Sequence, residues 1–194
     1  MLVVVSDTHG RADHRLTDRT LAAVREADVV VHAGDFTTPA VLDSFHEVAA
    51  RLVAVHGNAD DAAVSDRLPD ATTLTYAGVR VAVTHTRRGG ATALSLFGRE
   101  RGADLVVFGH THRPTVRSPD AGPTLLNPGS YADPRGNRAA HAELRPVDAE
   151  DGNGDAGAGE RGDSETPATG GLRGVLRSPS GDELETFRVS AGVE

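Results

Sequence analysis

Cysteine is absent from the 194 residues of this chain, and so are tryptophan, lysine and isoleucine. Without cysteine there are no disulfides, no thiolate metal sites and no cysteine nucleophile. Aromatic residues make up only 4%, so a core has to be built from valine, leucine and alanine rather than from rings. Long apolar runs are missing too. The first, Leu2 to Val5, stops at Ser6 and Asp7; it is too short for a signal-peptide core or a membrane span, and a soluble cytoplasmic protein is expected. There is also no surplus of basic charge, because 28 acids oppose 20 bases, all of them arginine. Tight binding of duplex nucleic acid is therefore disfavoured.

Most of the net charge of −8 is local. Between Asp148 and Glu165, the acids Asp148, Glu150, Asp151, Asp155, Glu160, Asp163 and Glu165 face only Arg161, a charge of −6 that leaves −2 for the rest of the chain. From about 147 to 171 the composition is Gly, Asp, Glu, Ala and Thr with almost no large apolar residue. Such a stretch buries too little surface to order itself and reads as a disordered acidic loop. It interrupts what is otherwise expected to be one domain over residues 1–194.

What is present is a rhythm. Short β-branched runs at Leu2–Val5, Val29–His32, Leu52–Val55, Val79–Val83 and Leu105–Phe108 suit strands buried on both faces. Helical patterns lie between them at Asp18–Ala27, at Pro39–Arg51 with Thr38 placed to cap, and at Ala91–Arg101. This alternation predicts an α/β fold whose first sheet is largely parallel. After Phe108 short strand candidates (Thr115–Arg117, Thr124–Leu126, Ala139–Leu144) follow one another without helices, which predicts a second, antiparallel sheet. A closing β-hairpin over 172–190, from Leu172–Arg177 and Glu183–Val189, completes the chain.

Polar residues sit just beyond the apolar runs. Asp7 and His9 follow the first, Asp35 the second and Asn58 the third; His85 follows Val83, and His110 and His112 follow Phe108. Ligands of open α/β sheets bind beyond the carboxyl ends of strands, so these side chains can converge. Carboxylates, an amide oxygen and imidazoles suit divalent metals of the manganese, nickel, iron or zinc kind. In Asp7-Thr8-His9 and His110-Thr111-His112 the paired residues are two apart, which in an extended segment points both to one side. Gly34, Gly57 and Gly109 each precede a candidate ligand and allow a tight turn there.

In this order the motifs resemble those of the calcineurin-like metallophosphoesterases, in particular the small prokaryotic phosphodiesterase branch that includes the retromer subunit. The pattern D-x-H, G-D, G-N-x-D, a lone His and G-H-T-H is present as Asp7-Thr8-His9, Gly34-Asp35, Gly57-Asn58-Ala59-Asp60, His85 and Gly109-His110-Thr111-His112. Asn127-Pro128-Gly129-Ser130 also matches the branch. The resemblance implies a two-sheet β-sandwich flanked by helices. It also implies two divalent ions, manganese first among the metals named: one held by Asp7, His9, Asp35 and His112, the other by Asp35, Asn58, His85 and His110, with Asp35 bridging. Asp35, Asn58 and His85 would then be the catalytic group, and a small phosphate ester, most simply a diester, the substrate. Water held between ions about 3.5 to 4 Å apart would attack phosphorus in line.

Two departures from the pattern stand out. Many members of the superfamily carry a leaving-group-protonating His where this chain has Ala59, and Thr86 rather than Gly follows His85. Asp60 is expected to hold its loop by hydrogen bonds, His32 and His56 to be packed neighbours, and His14, His46 and His141 to lie at the surface. Arg11, Arg87, Arg88 and Arg113 stand near enough to candidate ligands to clamp a phosphate, with solvated surface the equal alternative for each in a chain whose only base is arginine. The rival reading is a non-catalytic metal-binding scaffold or interaction subunit of the same fold. A nucleotide-binding α/β protein would need a glycine-rich loop after the first strand, and Ser6–Gly10 is not one.

Overall fold

The structure is a computed structural model that describes residues 1–119, 121–147 and 170–192. Its elements in chain order are β1 (Leu2–Val5), α1 (Asp18–Glu26), β2 (Val29–His32), α2 (Pro39–Val48), β3 (Leu52–Ala54), α3 (Ala62–Ser65), β4 (Ala71–Tyr76), β5 (Val79–Thr84), α4 (Gly90–Arg99), β6 (Leu105–Val107), β7 (Thr115–Arg117), β8 (Thr124–Asn127), β9 (His141–Val147), β10 (Gly171–Arg177) and β11 (Glu183–Ser190).

Strand side chains alternate between two cores, and that alternation sets the layers. Leu2 and Val4 of β1 pack with Val29 and Val31 of β2 against Val81, Val83, Leu105 and Val107 of the opposite sheet. Val3, Val5 and Val30 point the other way, onto Val24 of α1 and Val41, Leu42 and Phe45 of α2. On the far side Ala82, Val106 and Leu125 pack beneath Leu94 and Phe97 of α4. The order of layers is helix, sheet, sheet, helix. Every central strand is covered twice, which is why the sequence shows unbroken apolar runs there.

The first sheet has the order β11-β10-β9-β1-β2-β3 and the second β4-β5-β6-β8-β7. The two-sheet α/β architecture agrees with the sequence; the sorting of strands does not. Parallel pairs occur in both sheets: β1 with β2 and β2 with β3 in one, β5 with β6 and β6 with β8 in the other. The Val79–Val83 and Leu105–Phe108 runs thus belong to the second sheet, which is mixed rather than antiparallel. The antiparallel β9, β10 and β11 join the first sheet through β1. Periodicity reports that a strand is doubly buried and is silent about which sheet buries it. The β4–β5 hairpin begins the second sheet; β4, Ala-Thr-Thr-Leu-Thr-Tyr, is only half-buried, so it presents no apolar run.

Local ends also differ. Thr38 stands at the cap position of α2 without a side-chain cap bond; its hydroxyl instead donates to the Arg11 carbonyl at 3.0 Å. The acidic stretch assigned to 147–171 lies outside the described residues except at its borders, where Val147 of β9 and Gly171 of β10 are paired neighbours.

His141 is not at the surface. It is fully buried at the start of β9, where Nδ1 lies 3.1 Å from the Thr20 hydroxyl and Nε2 3.2 Å from Glu143 Oε1. Glu143 in turn receives a two-pronged bond from Arg19 of α1, Nε and Nη2 each at 2.7 Å. Burial by itself would raise the Glu143 carboxyl, but the bonds from His141 and Arg19 outweigh it and bring the pKa down to about 2. The group is therefore depressed relative to its ordinary 4.5. Its stabilising contribution is complete above that value and is lost as pH falls towards 2. Glu143→Gln sets a neutral amide where the buried carboxylate was and leaves Arg19 only its exposed partner Glu26 at 3.3 Å, and we expect a loss of about 3 kcal/mol at pH 7. The gap to wild type, followed by urea denaturation, should shrink between pH 4.5 and 3; a gap independent of pH would contradict the ion pair.

Candidate metal centre

The parallel strands of both sheets end at one edge of the sandwich, and all seven candidate ligands stand on the loops that leave it. Asp7 and His9 follow β1, Asp35 follows β2, Asn58 follows β3, His85 follows β5, and His110 and His112 follow β6. The loops are tied to one another through their backbones. Asp7 N–H donates to the Gly34 carbonyl and His9 N–H to the Asp35 carbonyl, each at 3.0 Å, and Gly109 N–H donates to the His85 carbonyl at 2.9 Å.

The route to convergence differs from the one expected. Asp7 (φ 55°), His9 (φ 44°), Asp35 (φ 62°), His110 (φ 71°) and His112 (φ 57°) all adopt left-handed backbone, so the D-x-H and H-T-H pairs are not extended segments. Each such residue costs of the order of 1–3 kcal/mol unless its surroundings hold it, and clusters of them mark functional loops. Of the three glycines that precede a candidate ligand, only Gly34 is itself left-handed (φ 93°). Gly57 and Gly109 are needed for close approach instead: a Cβ on Gly57 would lie 2.1 Å from Asp35 Oδ1, and one on Gly109 2.0 Å from the Ser6 hydroxyl and 2.8 Å from Asp7 Oδ2.

The donor atoms meet in the middle. Asp7, His9 and His112 form one cluster of mutually close ligand atoms, and Asp7, Asp35 and His85 another. His112 Nε2 lies 3.4 Å from Asp7 Oδ1 and 3.2 Å from His9 Nε2. Asp35 Oδ2 lies 3.4 Å from both His9 Nε2 and His85 Nε2. Asn58 Oδ1 is 3.1 Å from His85 Nε2 and 2.7 Å from His110 Nδ1. The buried imidazoles are turned inward by their other nitrogen: His85 Nδ1 bonds the Ala33 carbonyl at 2.7 Å, and His112 Nδ1 bonds the Asp133 carbonyl. Carbonyls that accept from Nδ1 aim Nε2 of each ring at the centre, and in the neutral ring that is the nitrogen left to bind a metal.

Electrostatics follow from this packing. Burial raises the Asp7 carboxyl, only partly offset by the Ser6 hydroxyl bonded to it. At Asp35 burial also pushes upward, but the bond to His85 and that imidazole's charge prevail, with the Ala59 N–H adding to them, and the carboxyl lies below its usual range. His85 is the reverse case, pushed down by burial and carried above its usual value by Asp35 and Asp7. His9 lies below its usual value because burial outweighs Asp35. Two buried carboxylates among imidazoles whose free nitrogens face one another are the donor set of a divalent cation, and the residues fit one.

Some of the residues that support the centre carry a sequence motif and others do not. Asp60 accepts from Gly57 N–H at 2.7 Å, Asp35 N–H at 3.1 Å and Thr37 N–H at 2.6 Å, so it ties two ligand loops, in keeping with its place in G-N-x-D. His32 is a packed neighbour, bonded to Thr8 at 2.8 Å and stacked on Phe36. Asn127 and Ser130 of the N-P-G-S segment each hold a ligand loop by its backbone. The Asn127 amide donates to the Gly109 carbonyl at 2.7 Å, and the Ser130 hydroxyl to the Asp7 carbonyl at 2.7 Å. Arg135, whose Nη2 lies 3.3 Å from His9 Nε2, has no sequence motif to announce it. Arg11, Arg88 and Arg113 are exposed, and Arg87 is half-buried over the Phe97 ring.

The profile of the calcineurin-like phosphoesterase superfamily domain matches residues 1–155. The chain belongs to that superfamily. A probable metallophosphoesterase of Methanothermobacter thermautotrophicus is 34% identical over 140 residues, 70% of this chain and 79% of the relative. Another from Methanocaldococcus jannaschii is 35% identical over 141 residues, 70% of each chain. Among solved structures, Vps29 of Entamoeba histolytica complexed with Zn²⁺ superposes with a TM-score of 0.68 at 18% identity, covering 98% of this chain and 99% of that one. A conserved protein of Streptococcus pneumoniae described as a predicted phosphoesterase superposes with a TM-score of 0.64 at 20% identity, covering 97% and 96%. These two show the fold. As a calcineurin-like phosphoesterase the chain is a metal-dependent hydrolase of phosphate esters, and among the described residues no helix is long and apolar enough to cross a membrane.

Removing the Asp60 carboxylate strands three backbone N–H groups in the ligand loops. Asp60→Ala should cost about 3 kcal/mol of stability, and binding of Mn²⁺ measured by calorimetry should weaken at the same time. Unchanged metal affinity in a folded variant would show that the loops are held without Asp60.

Proposed function

We propose that this phosphoesterase is a dinuclear phosphodiesterase. The observation that carries the reading is the place of Asp35, whose Oδ2 is equidistant from His9 Nε2 and His85 Nε2 and so stands between two groups of donors. Asp7, His9 and His112 complete one group around it, and Asn58, His85 and His110 the other. Divalent ions held by these residues would supply activation of a water and charge neutralisation at the phosphoryl oxygens. Manganese is the metal proposed first, with nickel, iron and zinc as alternatives compatible with this mixture of carboxylate, amide and imidazole.

The protein's own part is to hold those donors in place and aimed at one another. Hydrogen bonds at Nδ1 hold His85 and His112, and the Ala59 N–H holds Asp35 Oδ1 at 2.7 Å. That last contact also bears on specificity. The residue at position 59 adjoins the bridging carboxylate, and as alanine it has no proton to give a departing alkoxide. General acid catalysis is worth roughly 10²–10⁴-fold, so esters whose leaving groups depart unprotonated are favoured.

Asp35→Asn keeps the shape and removes the bridging charge. Elemental analysis should find metal depleted from both positions; full two-metal content would remove Asp35 from the bridge. For the wild type with Mn²⁺, kcat/KM on an aryl phosphodiester should exceed that on an alkyl phosphodiester by about 10²-fold or more, and Ala59→His should narrow the gap. Equal rates on both esters, with chemistry rate-limiting, would mean that another group protonates the leaving oxygen. Full metal content with no turnover of any phosphate ester would favour the scaffold reading instead.

A further inference from the structure

A groove leads away from the candidate metal centre, and its lining is basic in a chain that is acidic overall. Beside Asn58 and His85 lies a recess of about 200 Å³ that also takes in Thr86 and Arg87. Thr86 and Arg87 in turn open onto a cleft of about 450 Å³ that runs past Gly109 and Thr111, the neighbours of His110, to Arg113 and Arg117. Arg113, Pro114 and Glu185 are shared with a further cleft of about 320 Å³ that ends at Arg138. Four arginines, Arg87, Arg113, Arg117 and Arg138, thus line one track, faced by two lining carboxylates, Asp70 at the recess and Glu185 further along.

Three of these cations are not used up by the fold. Ion pairs among the described residues engage Arg19, Arg67, Arg101, Arg135 and Arg177, whereas Arg113, Arg117 and Arg138 have none. Arg87 faces Asp70 only at 3.8 Å, and its Nε is buried with no hydrogen-bond partner. The floor between the arginines is apolar, formed by Leu94, Phe108, Val116 and Leu125. Cationic forks spaced along an apolar floor are complementary to an organic body that carries phosphate groups. The clefts are in the size range of small-molecule sites.

We infer that the groove from Arg87 to Arg138 binds one ester arm of a diester, an arm that itself carries a further phosphate on a planar or apolar body, as a nucleotide does. This rests on the phosphodiesterase reading of the centre beside it. The arginines would then favour an arm that carries phosphate over a small neutral one, which forgoes the charge-assisted bonds.

The test separates the groove from the chemistry by measuring binding without metal. In EDTA, isothermal titration of the full chain with ADP should give a Kd about tenfold or more tighter than with adenosine, and also tighter than with inorganic tripolyphosphate, which lacks the organic body. Arg113→Gln/Arg117→Gln, two exposed positions, should weaken ADP about tenfold or more, while Arg51→Gln, outside the groove, should not. Adenosine or tripolyphosphate binding as tightly as ADP would overturn the inference, and so would a double variant that binds ADP like the wild type. Turnover of bis(4-nitrophenyl) phosphate with Mn²⁺ reports on the centre alone. Turnover without ADP binding fails the groove and keeps the phosphodiesterase; ADP binding lost in the double variant, with no turnover of any diester, keeps the groove as an anion site and fails the chemistry.

Discussion

A carboxylate with no exposed surface is costly to fold around, and Asp7 is one. Its burial is tolerable because two donors meet it, the Ser6 hydroxyl at 2.6 Å and the His110 N–H at 3.0 Å, and the His112 imidazole faces it at 3.4 Å. Meeting those donors requires β1 of one sheet and β6 of the other to end side by side. The sandwich is therefore joined at this edge by polar contacts around an acid, and its apolar interior lies behind them. Gly109 has to be glycine for the same reason, since a methyl group there would strike both Ser6 and Asp7.

The same edge concentrates the chain's backbone strain. Half of the ten non-glycine residues with positive φ among the described residues are candidate ligands. They are held by inter-loop hydrogen bonds and by Asp60, Asn127 and Ser130, none of which presents a donor atom to the centre. The surroundings stabilise the site, a common arrangement where geometry has to be set in advance of a ligand. That stability comes from the doubly covered strands and from anchors such as the Arg19–Glu143 pair, which stands on the opposite face of β9 from the inter-sheet core and ties α1 to the sheet.

Function is legible at two scales. At the centre, donors of mixed hardness facing one another restrict the chemistry to a cation and what it activates. Along the groove, arginines on an apolar floor, three of them without an ion pair among the described residues, favour an anionic group beside that chemistry. Both rely on the contrast with the rest of the chain, whose overall charge is negative.

The donor types and their order along the chain were legible in the sequence, because a strand end is marked by the break in an apolar run and ligand chemistry is a property of the side chain itself. So was a loop-holding role for Asp60, whose bond from Gly57 lies within G-N-x-D, although its bonds from Asp35 and Thr37 are made only by the fold. Which sheet takes Val79–Val83, whether the D-x-H pair is extended or left-handed, and why Gly57 must lack a Cβ were decided only by tertiary structure. Each depends on a neighbour distant in the chain: Asp35 presses on Gly57, and Gly34 binds Asp7. His141 shows the limit most plainly. Its environment is set by Thr20, more than a hundred residues away in sequence, and local composition around a histidine holds no record of a partner supplied by a helix from the other end of the domain.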